Sequence, residues 1–210
     1  MWINPAYAPS DPHGMAKAVV DHHPLAVIIT EEPLAIAHMP VLWREDARGN
    51  PVLVGHMPLT DPTSRQLASG GRVTIVFPGP ASYVTPNWYH SEGLPTYNYV
   101  PVHVSGRATR LDESELREHL LDLVADHESA HSLDPQPWAF TEASQARLER
   151  LLPQVLGFSV PVAELEVKAK LGQNRPEHDV ETVAAALSNG DSEQREIASL
   201  MQGRCPHTEP

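Results

Sequence analysis

The sequence predicts an α+β fold built around a small β-barrel. Three features carry that reading. Closely spaced β-branched runs between residues 25 and 59 suggest an antiparallel meander, helical patterns follow with one late strand, and 21 prolines punctuate the chain. Proline removes a backbone donor and is excluded from helix interiors and central strands, so this many favour short strands and irregular connections over a bundle. At 210 residues the chain supports one well-buried core, read as a single domain over 1–210 with a helical extension from about 176.

Ser10 and Asp11 before Pro12 mark a helix start, and Met15, Val19 and Val20 give that helix an apolar face up to Pro24. Strands are expected at Leu25–Thr30, Leu34–Trp43 and Pro51–Leu59, separated by turns at Glu31-Glu32-Pro33 and Gly49-Asn50. Asp61–Ser69 reads as a connecting helix, and Arg72–Phe77 and Ala81–Thr85 as strands broken by Pro78-Gly79-Pro80. Tyr97–Leu111 reads as one long strand with Val100, Val102 and Val104 on one face and His103 and Ser105 on the other. Asp112 with Glu115 resembles a capping box for a helix carrying Leu116, Leu120 and Leu123. A helix over Thr141–Leu152, a strand over Val155–Leu171 and helices over Val180–Leu187 and Glu193–Met201 complete the pattern.

Acidic residues outnumber basic ones 27 to 15, for a formal net charge of −12, with no basic run. A duplex-binding surface needs Lys and Arg against phosphates, so nucleic acid is disfavoured as a partner. Cys205 is the only cysteine, which excludes an intramolecular disulfide and a cysteine-based zinc site. No basic segment followed by an apolar run opens the sequence and no stretch reaches membrane-spanning length, so a cytoplasmic protein is expected. Glycine-rich phosphate loops, dinucleotide fingerprints and nucleophile elbows are absent. His127-Glu128-Ser129-Ala130-His131 matches the zinc-protease pattern, but it falls at the fraying end of a predicted helix in polar surroundings and reads as a chance match.

Six blocks occur in order: Ala37-His38-Met39-Pro40, Gly55-His56-Met57, the run from Phe77 to Tyr89, Leu94–Tyr99, Val102–Gly106 and Lys170-Leu171-Gly172-Gln173-Asn174-Arg175. Together they resemble the PaiB-like FMN-binding negative transcriptional regulators over nearly the whole chain. The resemblance implies a split β-barrel with peripheral helices, a homodimer, and a flat cofactor at the subunit interface. The chain departs from the family at Ala37, where Thr is usual, at Tyr97, often Trp, and at Gly172, usually Ser. It also has Asp61-Pro62-Thr63-Ser64 in place of an Asn-Pro-Gln-Trp stretch. A lost hydroxyl and amide and a gained Asp61 near a phosphate pocket would weaken an anionic FMN. The altered residues are compatible with a second branch, the piperazate synthases, which resemble PaiB relatives but hold haem b and close delta-N-hydroxyornithine by forming an N–N bond.

On that resemblance haem b is the first cofactor expected and FMN the alternative. His56 shares a strand face with Val52 and Val54, and His38 lies likewise after Leu34 and Ile36. An imidazole nitrogen is a natural axial ligand, so His56 is the candidate for haem iron and His38 a second cofactor contact, against the plainer reading of half-buried structural histidines. Thr96, Tyr97 and Asn98 would meet the cofactor ring by stacking and hydrogen bonding, with Trp88 as further aromatic support; hairpin and core packing are the alternatives. Lys170, Gln173 and Arg175 form a polar group suited to an FMN phosphate or haem propionates, or a solvated turn. His56, Tyr97 and Lys170 are the candidate catalytic residues. The functional expectation is a haem-dependent enzyme like piperazate synthase, with an FMN-binding regulator or FMN-dependent oxidoreductase as the alternative.

Overall fold

The computed structural model describes residues 1–131, 136 and 138–203, apart from the side chains of Ala130 and His131. Cys205 lies outside the described residues. The elements in chain order are α1 (Pro12–His22), β1 (Leu25–Glu31), β2 (Leu34–Glu45), β3 (Pro51–Pro58), α2 (Ser64–Ala68), β4 (Arg72–Phe77), β5 (Ala81–Val84), β6 (Thr96–Tyr99), β7 (Val102–Arg107), β8 (Thr109–Arg110), α3 (Glu113–His131), α4 (Glu142–Leu151), β9 (Val155–Pro161), β10 (Glu164–Val167), α5 (Glu177–Leu187) and α6 (Ser192–Met201).

The architecture is mixed α and β, as expected, and the chain forms two compact units interleaved in sequence. The first comprises Met1–Ala26, Ile75–Val104 and 164–210; the second comprises Val27–Thr74 and Ser105–Ala163.

The strands that lie wholly in the second unit run side by side in the order β2-β3-β9-β8. The expected meander appears as antiparallel β2–β3 pairing, Val41 opposite Gly55 and Trp43 opposite Leu53, and the late strand β9 pairs on the far side of β3. Leu53, Met57, Leu156, Phe158 and Val160 are fully buried, so alternate positions of β3 and β9 supply one face of the core. Helix α3 covers the other face of β3. Its first turn is closed by the expected box: Glu115 N donates to Asp112 Oδ1 at 2.9 Å and Asp112 N donates to Glu115 Oε2 at 2.8 Å.

In the first unit β5 and β6 form a separate two-stranded sheet, Ser82 opposite Asn98 and Tyr83 opposite Tyr97. Helices α5 and α6 pack together, α6 packs on β5, and α1 packs on β10. Ala16, Val19 and Val20 of α1 and Val183, Ala184, Leu187 and Ile197 of α5 and α6 are buried, which is the apolar face that the sequence pattern gives these helices.

Three expected elements differ. The long strand over Tyr97–Leu111 is β6, β7 and β8, interrupted at Val100-Pro101, where proline has no donor and Val100 N donates instead to Pro80 O. The strand over Val155–Leu171 is β9 and β10, interrupted at Val162, whose N–H donates to Pro51 O. The helix over Asp61–Ser69 shortens to α2 because Asp61 Oδ1 accepts from Thr63 N at 2.9 Å and turns residues 61–63 out of the helix. Among the described residues no helix is long and apolar enough to cross a membrane.

Candidate functional site

Two constellations stand out, one in each unit. In the second, His56 follows Val52 and Val54 on the half-buried face of β3, as its strand alternation predicts. Its cross-strand partner on β9 is Gly157. A Cβ at Gly157 would lie 3.0 Å from Leu116 and 3.1 Å from Leu111, so the missing side chain lets the start of α3 settle close to the strands. That approach brings His119, three residues beyond Leu116 on the same helical stripe, against His56. Their Nδ1 and Nε2 atoms are 3.2 Å apart and the rings are tilted at 60°. One imidazole donates and the other accepts, so these two facing nitrogens satisfy each other while both rings are neutral.

Burial holds the His56 pKa below the ordinary imidazole value. His119, 5% exposed, is pushed down to about 4, first by burial, then by the proximity of His56 and of Arg44. Among the described residues no ring contact or hydrogen bond joins His38 to His56. His38 lies outside the paired stretch Val41–Glu45 and is exposed together with Leu34 and Ile36. Asp61 is occupied locally, accepting from Thr63 N and Thr63 Oγ1.

In the first unit Thr96, Asn98, Lys170 and Arg175 line one cavity of about 270 Å³. Strand alternation puts Thr96 and Asn98 on its wall, with Val84 of β5, and turns Tyr97 to the outside. Thr96, Tyr97 and Asn98 are therefore not one contact surface. Tyr97 (55% exposed) instead meets its cross-strand partner Tyr83 (47% exposed) edge to face, with ring centroids 5.7 Å apart. Trp88 is half-buried and does not line the cavity; its neighbour Tyr89 does.

The segment from Lys170 to Arg175 enters the cavity through an antiparallel bridge between Tyr99 and Lys170. Lys170 Nζ donates to Thr96 Oγ1, and to Tyr97 O at 2.8 Å. Burial first of all lowers its pKa, nearby Lys168 adds to this, and Tyr99 opposes it. Arg175 lies over the Tyr89 ring, its guanidinium carbon 4.2 Å from the centroid, and Nη1 donates to Glu92 O at 3.0 Å. Gly172 has φ +88°, a conformation that suits glycine and strains the serine usual at this position. Gln173 does not reach the cavity of Lys170. Its amide is spent on its own turn, accepting from Leu171 N at 2.8 Å and donating to Ala169 O at 2.5 Å.

Fully buried Asp179, near the start of α5, fixes the opposite wall by accepting from His90 N at 2.7 Å, Ser91 N at 3.2 Å and Ser91 Oγ. These bonds, led by the Ser91 hydroxyl, hold its carboxyl below the usual range. The sequence reading passed over His119 and Tyr83. His119 lies on the Leu116–Leu120–Leu123 stripe and Tyr83 alternates with Ser82 and Val84, so both periodicities carried the signal.

The zinc-protease pattern lies within α3, which continues to His131, so the expected fraying at His127 is not seen; the His131 side chain lies outside the described residues. Among the described residues no group of three or more metal-binding side chains occurs.

A family model described as "Putative FMN-binding domain" matches residues 1–164, and the chain belongs to that family. It is 31% identical over 180 residues to protease synthase and sporulation protein PAI 2 of Bacillus subtilis, covering 85% of each chain. Its fold is similar to that of the flavocytochrome Anf3 from Azotobacter vinelandii, with TM-score 0.58 and 19% identity over 82% of this chain and 74% of the other. It is also similar to that of the FAD and heme binding protein from Mycobacterium smegmatis, with TM-score 0.55 and 17% identity over 85% and 78%.

Proposed function

We propose that this member of the FMN-binding family is a flavin-binding redox protein that holds its cofactor ring on the Tyr83–Tyr97 platform. The observation that carries this reading is the pair of half-exposed tyrosines side by side on the β5–β6 hairpin. Two aromatic rings left in water on a paired two-stranded sheet, set edge to face, each offer an apolar ring surface at little conformational cost, and either ring can stack on an isoalloxazine. Bound FMN supplies hydride and single-electron transfer. The tyrosines stack and orient the ring and shield one of its faces from water.

A role on DNA of the kind the family resemblance carries has less support. With 15 Lys and Arg against 27 Asp and Glu, the chain is poorly supplied with phosphate-neutralising groups. A second copy is proposed to cover the apolar stripe of Leu34 (71% exposed) and Ile36 (60% exposed) beside His38. Ile36→Glu is expected to turn a dimer into a monomer by light scattering.

The test is an FMN titration followed by flavin fluorescence. Tyr97→Ala and Tyr83→Ala are each expected to weaken binding by about 0.5–1.5 kcal/mol, while Tyr97→Phe retains it. A wild-type protein that takes up no FMN, or a Tyr97→Ala variant with unchanged affinity, overturns the reading.

A second reading rests on the histidine pair. If His56 donates Nδ1–H to His119, its Nε2 lone pair is left free, so His56 would hold a haem iron and His119 would orient its ring. The Mycobacterium smegmatis fold relative, whose name includes FAD and heme, is consistent with a porphyrin on this scaffold. Haem uptake with a Soret band lost in His56→Ala would favour it, and conversion of delta-N-hydroxyornithine by the haem-loaded protein would specify piperazate synthesis. A spectrum unchanged by His56→Ala would remove His56 as the ligand.

A further inference from the structure

We propose that the cavity lined by Lys170, Arg175, Thr96 and Asn98 binds a small carboxylic acid that carries a second hydrogen-bond donor, an amine or a hydroxyl, on an aliphatic body. The site is distinct from the tyrosine platform, because alternation along β6 places Thr96 and Asn98 on one face and Tyr97 on the other. The inference goes beyond the flavin reading by assigning a separate ligand site, and its binding test stands apart from flavin binding.

The charge balance comes first. The chain carries 27 acidic side chains, yet among the described residues neither Lys170 nor Arg175 is paired with a carboxylate. Both cations are nevertheless held in place. Lys170 is fixed by Thr96 and the Tyr97 carbonyl, and Arg175 by the Tyr89 ring and the Glu92 carbonyl. A positioned, partly desolvated cation without a protein counter-ion is unfavourable until an anion arrives.

The anion is a monoanion rather than a phosphate. Buried Asp179 lines the same cavity, and Glu177 and Asp179 already occupy the first turn of α5, so the helix N-terminus is complemented by acids and repels a dianion. The donors also suit a carboxylate. Two of the three ammonium hydrogens of Lys170 are engaged, which leaves one, together with the free edge of Arg175.

Asn98 specifies the second group. It is 2% exposed, its Nδ2 donates only to Met201 Sδ at 3.3 Å, and no described protein donor reaches its Oδ1. With no protein donor on it, an amide oxygen on a residue lining this cavity suits a donor from the ligand. The remaining wall includes Val84, Val180, Val183 and Met201, which suits an aliphatic chain. At about 270 Å³ the cavity falls below the ~300–1,000 Å³ of drug-sized ligand sites, so the acid is small.

The experiment is calorimetric titration of the full chain with 2-hydroxypentanoate, L-norvaline, pentanoate and inorganic phosphate, each with and without saturating FMN. The hydroxy or amino acid is expected to bind at least tenfold tighter than pentanoate, and phosphate not to bind. Lys170→Gln and Arg175→Gln should each weaken the preferred acid at least tenfold while leaving FMN and riboflavin affinities unchanged. Asn98→Leu should abolish the preference over pentanoate. Absence of any carboxylate binding by the wild type at 10 mM ligand overturns the proposal without recourse to variants. So does a loss of FMN but not riboflavin affinity in Lys170→Gln, which would assign the cavity to the cofactor phosphate. Carboxylate binding by a chain that takes up no flavin would leave this inference standing and remove the flavin reading instead.

Discussion

The His56–His119 pair and the Lys170–Arg175 cavity set the same elementary problem, polar side chains withdrawn from water, and solve it in opposite ways. Under α3, two imidazoles share one N–H and stay neutral, so the protein satisfies them itself. In the cavity, two cations are held by a hydroxyl, two carbonyls and a ring, none of which cancels their charge. The first arrangement carries no charge and the second does. The contrast teaches that burial alone does not single out a ligand site; burial with charge left over does.

The largest expected effect lies on the self-satisfied side. Replacing His119 with Leu in the haem-free protein leaves the half-buried Nδ1 of His56 without its partner. The expected loss is about 1–3 kcal/mol, with a fall in Tm of about 2–4 °C per kcal/mol for a chain of this size. Thermal unfolding by circular dichroism measures it. If the variant is as stable as the wild type, water or another group satisfies His56 and the pair is not a closed unit.

Acid should act on the same pair. The folded pKa of His119, about 4, lies below its unfolded value near 6.5, so the folded state binds fewer protons in that interval. The stability from this group is therefore complete above pH ~6.5 and declines as pH falls towards 4, by about 3 kcal/mol at most. His56 shifts in the same direction and adds to the loss. Carboxylates with lowered values, such as Asp46 and Asp179, contribute only once pH falls below their unfolded range near 4. Urea midpoints at pH 7.5, 5.5 and 4.5 sample the histidine window above that range, and His119→Leu should flatten it. A wild-type midpoint that does not change from pH 7.5 to 4.5 would contradict the assigned shift.

On the open side, the turn at Gly172 offers a smaller test. Restoring the serine usual in the family places a side chain at φ +88°, where a non-glycine residue costs about 1–2 kcal/mol. The new Cβ would make only ordinary contacts, 3.7 Å from Met201 and Val180, so backbone strain rather than collision sets the cost. Gly172→Ser should lower the urea midpoint and displace the Lys170–Arg175 turn, weakening carboxylate binding together with stability. Undiminished stability would mean that the turn relaxes to accept the serine.

Much of this was legible in the sequence where a short period governs it. Alternation placed His56 with Val52 and Val54, and the strands over residues 25–59 appear nearly at their expected limits. The same period-2 rule separates Tyr97 from Thr96 and Asn98, so grouping those three failed on information already present. The placement of Arg175 on Tyr89 and of Asp179 on Ser91 was not legible, because it depends on α5 returning to a loop far away in sequence. The positive φ of Gly172 is likewise set by the turn that the Tyr99–Lys170 bridge requires, which no local pattern announces.

The smallest expected effect sharpens the comparison most finely. Arg44 donates to Asp126 Oδ2 at 2.6 Å and lies 3.9 Å from Asp122, so it joins β2 to α3 at a half-exposed position. Such pairs contribute about 0.2–1 kcal/mol, and Arg44→Gln should cost no more than that at pH 7.5. Its charge also disfavours protonation of His119, behind burial and His56 in importance. Removing it lets the folded state take up the proton more readily, so the loss between pH 6.5 and 4 becomes smaller. The variant's deficit should therefore shrink at pH 4.5 relative to pH 7.5. High salt should diminish the difference in the wild type, because a Debye length of about 3 Å at 1 M screens a partly exposed guanidinium. If the deficit is the same at both pH values, Arg44 does not reach the pair electrostatically. Burial and the two imidazoles alone would then account for its neutrality, and the pair would be still more self-contained than the comparison with Lys170 and Arg175 requires.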